Sequence, residues 1–208
     1  MSASVALGGA DLSGSPARAL EGSALRQVQL RENQLRLALW MFLATVTMLF
    51  AAFISAYVVR RSGSDWQQVA LPAVLWVNTA ILVASSVAVE AASKSGAGRR
   101  WHAAMFAFGA ALTFGVAFLG GQVIAWRQMV AAGVYLPSSP HSAFFYMLTA
   151  AHALHVVAAL VVLAWGMART RVGFRDPRAW AAQMDLCRTF WHFLGGVWLV
   201  LFALVSLY

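Results

Sequence analysis

Five long apolar runs dominate this sequence and constrain its fold more than any other feature. They cover residues 35–59, 71–92, 101–126, 142–168 and 186–208. A helix needs roughly 20 mainly apolar residues to cross a bilayer, and every run reaches that length. Lipid-exposed backbone must be satisfied internally, and the runs lack the alternation of barrel strands. All five are therefore predicted to be transmembrane helices.

Composition favours the same environment. Hydrophobic residues make up 61% of the 208 residues and charged residues only 11%, whereas about a quarter of a soluble chain is charged. The formal net charge is +8, but the basic residues lie in short connections between apolar runs, so no nucleic-acid partner is expected. The single cysteine, Cys187, excludes an internal disulfide and a thiolate metal cluster.

The chain is expected to form one all-α domain, a five-helix transmembrane bundle over residues 34–208. Residues 1–33 are rich in Ser, Gly and Ala and carry no long apolar segment of the secretory type, so a mobile cytoplasmic tail is expected there. Of the 15 Lys and Arg residues, 12 lie on the side of the tail and 3 on the opposite side. This asymmetry predicts a cytoplasmic N-terminus and a periplasmic C-terminus.

Polar side chains within the spans are the functional candidates, because they are costly in lipid. The set comprises Asn78, Glu90, Gln122, His152, His155 and His192. At 1.5 Å per residue, His152 lies roughly 14 Å into the fourth span, near the midplane. Three histidines could hold haem or a metal, with His155 and His192 as the best-matched pair for a haem iron. Interhelical hydrogen bonding is the preferred interpretation, because the histidines lack carboxylate or thiolate partners.

The acidic residues give little support to a proton or ion path. Glu90 and Asp185 lie near helix ends, where both can reach the interface, and mid-span acids are missing. The tryptophans are interpreted mainly as lipid or interface anchors: Trp40, Trp76, Trp126, Trp165, Trp191 and Trp198. The basic connection between the last two spans sets topology and is a candidate for anionic lipid head groups, through Arg169, Arg171, Arg175 and Arg178.

Motifs on four spans resemble subunit III of the haem-copper terminal oxidases, over residues from about 36 to 208. The strongest is Phe190-Trp191-His192-Phe193 with Val197-Trp198, Leu201-Phe202 and Tyr208. The second is Ser142-Ala-Phe144-Phe145 with Thr149 and His152-Ala-Leu154-His155-Val156. Shorter matches are Asn78-Thr79 with Ser85-Ser86, and Phe118-Leu119 with Gln122 and Trp126. Five spans match the shorter bacterial form of the subunit.

Three positions depart from the family pattern. Thr45-Val46 replaces a Ser-Glu pair in the first span, so the family's buried glutamate is missing. Ala125 and Gly195 stand where Glu and Asp are frequent. Val46 leaves His152 without its expected partner and places in doubt a proton-related role for the subunit.

The resemblance implies a non-catalytic accessory subunit in the bacterial cytoplasmic (inner) membrane. Such a subunit holds no cofactor, packs on catalytic subunit I with subunit II, holds phospholipids in a cleft, and supports proton-coupled oxygen reduction at the partner's haem and copper. The structural, lipid or intersubunit candidates are His152, His155, His192, Gln122, Glu90, Asn78, Trp191, Trp198, Arg175 and Arg178. The donor, cytochrome c or quinol, is left open, as is a complex of the nitric oxide reductase type.

Two further hypotheses remain open at this point. A small transporter or channel could be built around His152, His155, His192 and Gln122. A membrane cytochrome would carry haem iron between His155 and His192.

Overall fold

The computed structural model describes residues 16–64, 66, 71–173 and 177–207. Within these ranges the chain is all-α, with five helices, and each helix contains a window long and apolar enough to cross a membrane. The helices are α1 (Pro16–Arg60), α2 (Val74–Ala97), α3 (Trp101–Ala131), α4 (Pro140–Gly173) and α5 (Pro177–Leu207). The prediction of five membrane-spanning helices is therefore confirmed at the level of fold.

Most helices are longer than the apolar runs that predicted them. Helix α1 begins at Pro16 and not near residue 35, and α4 continues to Gly173. Backbone hydrogen bonding continues where a span leaves the hydrocarbon, so hydropathy marks the bilayer and not the helix end. Helix α2 instead begins three residues late, at Val74, because Pro72 lies just before it.

The chain divides into two compact units at Ala38. The first contains the Pro16–Ala38 part of α1, whose described side chains are almost all exposed. The second begins at Leu39 and contains the rest of the helices. The domain boundary expected at residue 33, and the mobility of the tail before it, stay predictions.

Helices α2, α3, α4 and α5 form a closed ring in which each packs against two neighbours. Buried positions along α2 alternate at spacings of three and four residues: Leu75, Asn78, Leu82, Ser85, Val89, Ala92 and Gly96. Helix α3 follows the same rule from Trp101 to Met129. This heptad spacing is typical of helices that cross at about +20° in left-handed bundles.

Small residues allow the ring to close. At Gly115 on α3, an added Cβ would lie 2.6 Å from the Leu160 side chain and 2.7 Å from Trp191. A side chain at Gly96 would likewise collide with the ring of Trp180. Glycine at these positions lets a large side chain from α4 or α5 pack directly on a helix backbone.

From Leu39 onward, α1 packs against the rest of the bundle through large side chains on one face. Leu43, Phe50 and Tyr57 are buried at seven-residue spacing, and Phe50 and Tyr57 make ring contacts with α4. Clefts lie on either side of α1, one against α4 and one against α5.

The start of α4 is fixed by a reciprocal pair of serines. The backbone N–H of Ser139 donates to the Ser142 hydroxyl at 3.0 Å, and the N–H of Ser142 donates to the Ser139 hydroxyl at 3.1 Å. Pro140 occupies the first helical position, where its missing N–H costs nothing. This capped start sets the register that carries His152 into the ring.

Candidate functional site

His152 occupies the centre of the ring and is 1% exposed. Its imidazole lies among three aromatic rings, with centroid separations of 6.3 Å to Phe50, 5.9 Å to Phe118 and 5.3 Å to Trp198. Neither ring nitrogen has a hydrogen-bond partner among the described residues. His152 is therefore a buried polar group held by aromatic contacts.

The α1 side of this environment is apolar. Val46 is buried, one turn before Phe50 on the same face of α1. Valine offers neither charge nor hydrogen bond, so α1 supplies aromatic contact alone to His152. Position 46 is thus an apolar part of the core beside His152.

Amide and hydroxyl groups from α2, α3 and α4 form a polar layer near the same depth. Asn78 and Gln122 are buried, and their carboxamides lack partners among the described residues. The Asn78 carboxamide lies against Gly121, where any side chain would collide with it. Gly121 therefore makes room for a polar group in the α2–α3 interface.

Two indole groups close this polar layer through threonines. Trp198 Nε1 on α5 donates to Thr79 Oγ1 on α2 at 3.0 Å. Trp126 Nε1 on α3 donates to Thr149 Oγ1 on α4 at 3.0 Å. Both are interhelical hydrogen bonds, so indole and hydroxyl pairs fix the relative rotation of neighbouring helices.

Trp191 and Trp198 lie in the core instead of at the lipid-facing surface expected for them. Trp40, Trp76 and Trp165 are exposed, as the anchor interpretation expects. The difference follows from heptad position, because residues 191 and 198 share the inward face of α5. Tryptophan identity alone does not distinguish the two roles.

His155 lies one turn along α4 from His152 but has other contacts. Its Nδ1 lies 2.7 Å from the carbonyl oxygen of Ala151, and its ring contacts Phe42 and Phe50. His192 is instead associated with Glu90, at 3.9 Å from Nε2 to Oε2. The two histidines proposed for haem thus have different surroundings. Within the described ranges, no three His, Cys, Asp or Glu side chains are grouped as a metal site.

A charged seam joins α2 and α5 and consists of Glu90, Lys94, Asp185, Arg188 and His192. Glu90 lies 3.6 Å from both Lys94 Nζ and Arg188 Nη1. Arg188 Nη2 lies 3.1 Å from Asp185 Oδ1. The sequence identified Glu90 and His192 but counted Arg188 only toward topology. Their proximity depends on the rotation of α2 against α5, which cannot be predicted from hydropathy along a single helix.

A second group of polar aromatic residues was missed at the opposite end of the bundle. His141 is buried, with ring centroids 5.3 Å from Trp66 and 6.1 Å from Tyr57. The sequence shows a histidine directly after Pro140, at the start of a span. A histidine at that position is usually interpreted as an interface residue, so burial of His141 was not predicted. Of the remaining candidates, Arg175 lies outside the described residues, as does the side chain of Arg178.

Comparison with known proteins places these features in a wider group. A family model described as cytochrome c oxidase subunit III matches residues 19–208. A probable cytochrome c oxidase subunit 3 of Nocardia farcinica is 30% identical over 186 residues, covering 84% of this chain and 88% of the relative. Its Mycobacterium tuberculosis counterpart is 28% identical with the same coverage. Subunit 3 of the cytochrome bo(3) ubiquinol oxidase of Pseudomonas aeruginosa is 32% identical over 180 residues, covering 81% and 82%.

Proposed function

We propose that this chain, which belongs to the cytochrome c oxidase subunit III family, is the accessory third subunit of a haem-copper respiratory oxidase. The match over residues 19–208 carries the proposal, because it includes all five spans, the polar layer and the charged seam. Relatives are named for both cytochrome c and ubiquinol oxidases. The proposal therefore covers both classes of electron donor.

The proposed role is structural support of a catalytic partner. Oxygen reduction is assigned to the haem and copper of that partner, with subunits I and II and phospholipids in contact with this chain. The ring of α2–α5 supports this role, because its polar groups are directed inward and fix helix rotation. Rigid helices with an exposed apolar exterior suit packing within a larger membrane complex.

The proposal includes location and orientation. The end of the bundle with Lys94, Arg99, Arg100 and Arg188, here called the basic end, is placed in the bacterial cytoplasm, and the C-terminus in the periplasm. Alkaline phosphatase fused after residue 207 is expected to be active, and the same enzyme fused at Gly98 inactive. The reverse pattern would contradict the orientation while leaving the family assignment intact.

Co-purification tests the function. The chain carries an affinity tag, is expressed in its own host, and is extracted from native membranes in mild detergent. Catalytic haem-copper subunits are expected in the eluate by mass spectrometry, with a haem absorbance spectrum and oxygen consumption. A tagged unrelated membrane protein from the same host serves as the control.

Three results would overturn or redirect this proposal. Purification without any haem-containing subunit would refute it. Reduction of nitric oxide and not oxygen by the purified complex would move the chain to a reductase of that type. Solute flux by the chain alone in vesicles, abolished by His152→Ala, would favour a transporter instead.

A further inference from the structure

The charged seam between α2 and α5 exposes ionic groups on membrane-spanning helices. The side chains of Glu90, Arg188 and His192 are 34%, 38% and 42% exposed. Neighbouring polar atoms of the seam lie 3.1 to 3.9 Å apart, so the groups interact with one another, yet their side chains are partly exposed on one side. In a soluble protein water would cover that side.

Part of the seam extends from the basic end into the membrane-spanning stretch of α5, Trp180–Ser206. A hydrocarbon core about 30 Å thick corresponds to about 20 helical residues. If the core begins at Ser206, the end of the α5 span, its other boundary lies at about residue 186. Arg188 and His192 lie inside that limit. Glu90 lies seven residues, about 10 Å, from the end of α2 at Ala97. Polar and ionic side chains that face lipid are costly, so in membrane proteins they usually face other protein groups.

An apolar cleft continues directly from the seam. It has a volume of about 440 Å³, lies between α1 and α5, and is lined by His192, Phe50, Ala51, Ile54, Gly196 and Val200 among others. A Cβ added at Gly196 would meet nothing within 4 Å, so the surface there is flat and open. His192 belongs to both features, which makes the seam and the cleft one continuous surface.

We propose that this surface receives a transmembrane helix of the catalytic subunit, an inference that rests on the proposed function. The helix presents a small residue to Gly196 and Ala51, where backbones can approach closely. One turn or two nearer the basic end, it presents a hydrogen-bonding side chain to Glu90 and His192. The partner helix thus covers the open side of the ionic network.

The chemistry of the seam favours a helix over a lipid. The carboxylates of Glu90 and Asp185 balance the cations of Lys94 and Arg188, so an anionic head group meets two carboxylates beside its cations. An acyl chain at the depth of His192 supplies no hydrogen bond. A polar side chain on a helix supplies one without bringing a net charge.

Site-specific photocrosslinking in the intact complex tests the location. Val200, 54% exposed in the cleft, is replaced by p-benzoylphenylalanine; Val116, 61% exposed on α3 across the ring, is the matched control. The residue at 200 is expected to crosslink to the catalytic subunit, and the residue at 116 is not. Adducts at 200 with lipid alone, or capture of the catalytic subunit from 116 instead, would overturn the proposal.

Charge variants test the contribution of the seam. Arg188→Gln is expected to reduce co-purification of the catalytic subunit at least threefold, while the variant chain is still found in membranes. Arg127→Gln, which changes an exposed arginine on α3, is the control and is expected to have no effect. Full co-purification by Arg188→Gln would count against the proposal. If the wild-type chain purifies with no oxidase subunit at all, the proposed function itself has failed; if the wild type and Arg188→Gln both retain the catalytic subunit, only the docking proposal has failed.

Discussion

Replacing His152 with phenylalanine is expected to stabilise the protein. The imidazole is 1% exposed, and both ring nitrogens lack partners among the described residues. A neutral imidazole brings one donor and one acceptor into the core. Phenylalanine removes both and keeps an aromatic ring against Phe118 and Trp198.

The magnitude follows from the cost of burying unsatisfied polar groups. Such a group costs about 1–3 kcal/mol in a protein core, and interhelical hydrogen bonds in membranes average about 0.6 kcal/mol. Taking the low end of about 0.6–1 kcal/mol for each of the two groups, His152→Phe gains about 1–2 kcal/mol. His152→Ala removes the ring and leaves a cavity, so it loses about 2–4 kcal/mol.

Thermal stability of the purified complex measures both changes. The temperature at which half of the chain leaves the monodisperse size-exclusion peak is expected to rise for His152→Phe and to fall for His152→Ala. His155→Phe is the matched control, because its Nδ1 already bonds the Ala151 carbonyl and its removal brings no gain. A midpoint for His152→Phe below that of the wild type would refute the reasoning, since it would mean that the nitrogens are paired.

Two further predictions concern the packing of the ring. Gly115→Ala is expected to lower stability by about 1–3 kcal/mol, because the new Cβ lies 2.6 Å from the Leu160 side chain. Gly120→Ala is the control, because nothing lies within 4 Å of a Cβ at that position. Equal thermal midpoints for the two variants would contradict the close approach at Gly115. Trp198→Phe and Thr79→Val each remove the 3.0 Å hydrogen bond from the indole to the hydroxyl. A double-mutant cycle measured by the same thermal midpoints is expected to give a coupling energy between residues 198 and 79 of about 0.6–1.5 kcal/mol. Additive effects would show that this hydrogen bond does not hold α5 to α2.

Sequence reasoning predicted the spans well because lipid imposes one requirement on all of them. A long apolar run has to be a helix, and its length follows from bilayer thickness. The family resemblance was likewise carried by local motifs such as Trp191-His192-Phe193, and the family match confirms it. Neither inference depends on how the helices are rotated.

Rotation was the part that the sequence did not reveal. A soluble helix marks its buried face by hydropathy, but in lipid both faces are apolar. Ala104 and Ala111 are buried on α3 while Phe106 and Val116 are exposed, which is the reverse of a soluble pattern. The heptad of inward positions became visible only in the structure. The seam of Glu90, Arg188 and His192 was missed for that reason.

The contact between α1 and α4 has a consequence for the order in which the protein is made. Phe50 contacts His152, which is translated 102 positions later. At about 5–20 residues per second, the ribosome needs about 5–20 s to supply that partner. During this interval α1 is already in the bilayer while α4 is still being synthesised, and α2 and α3 can pair without it. The helix that emerges first therefore gains its contacts with α4 only after most of the chain has been made.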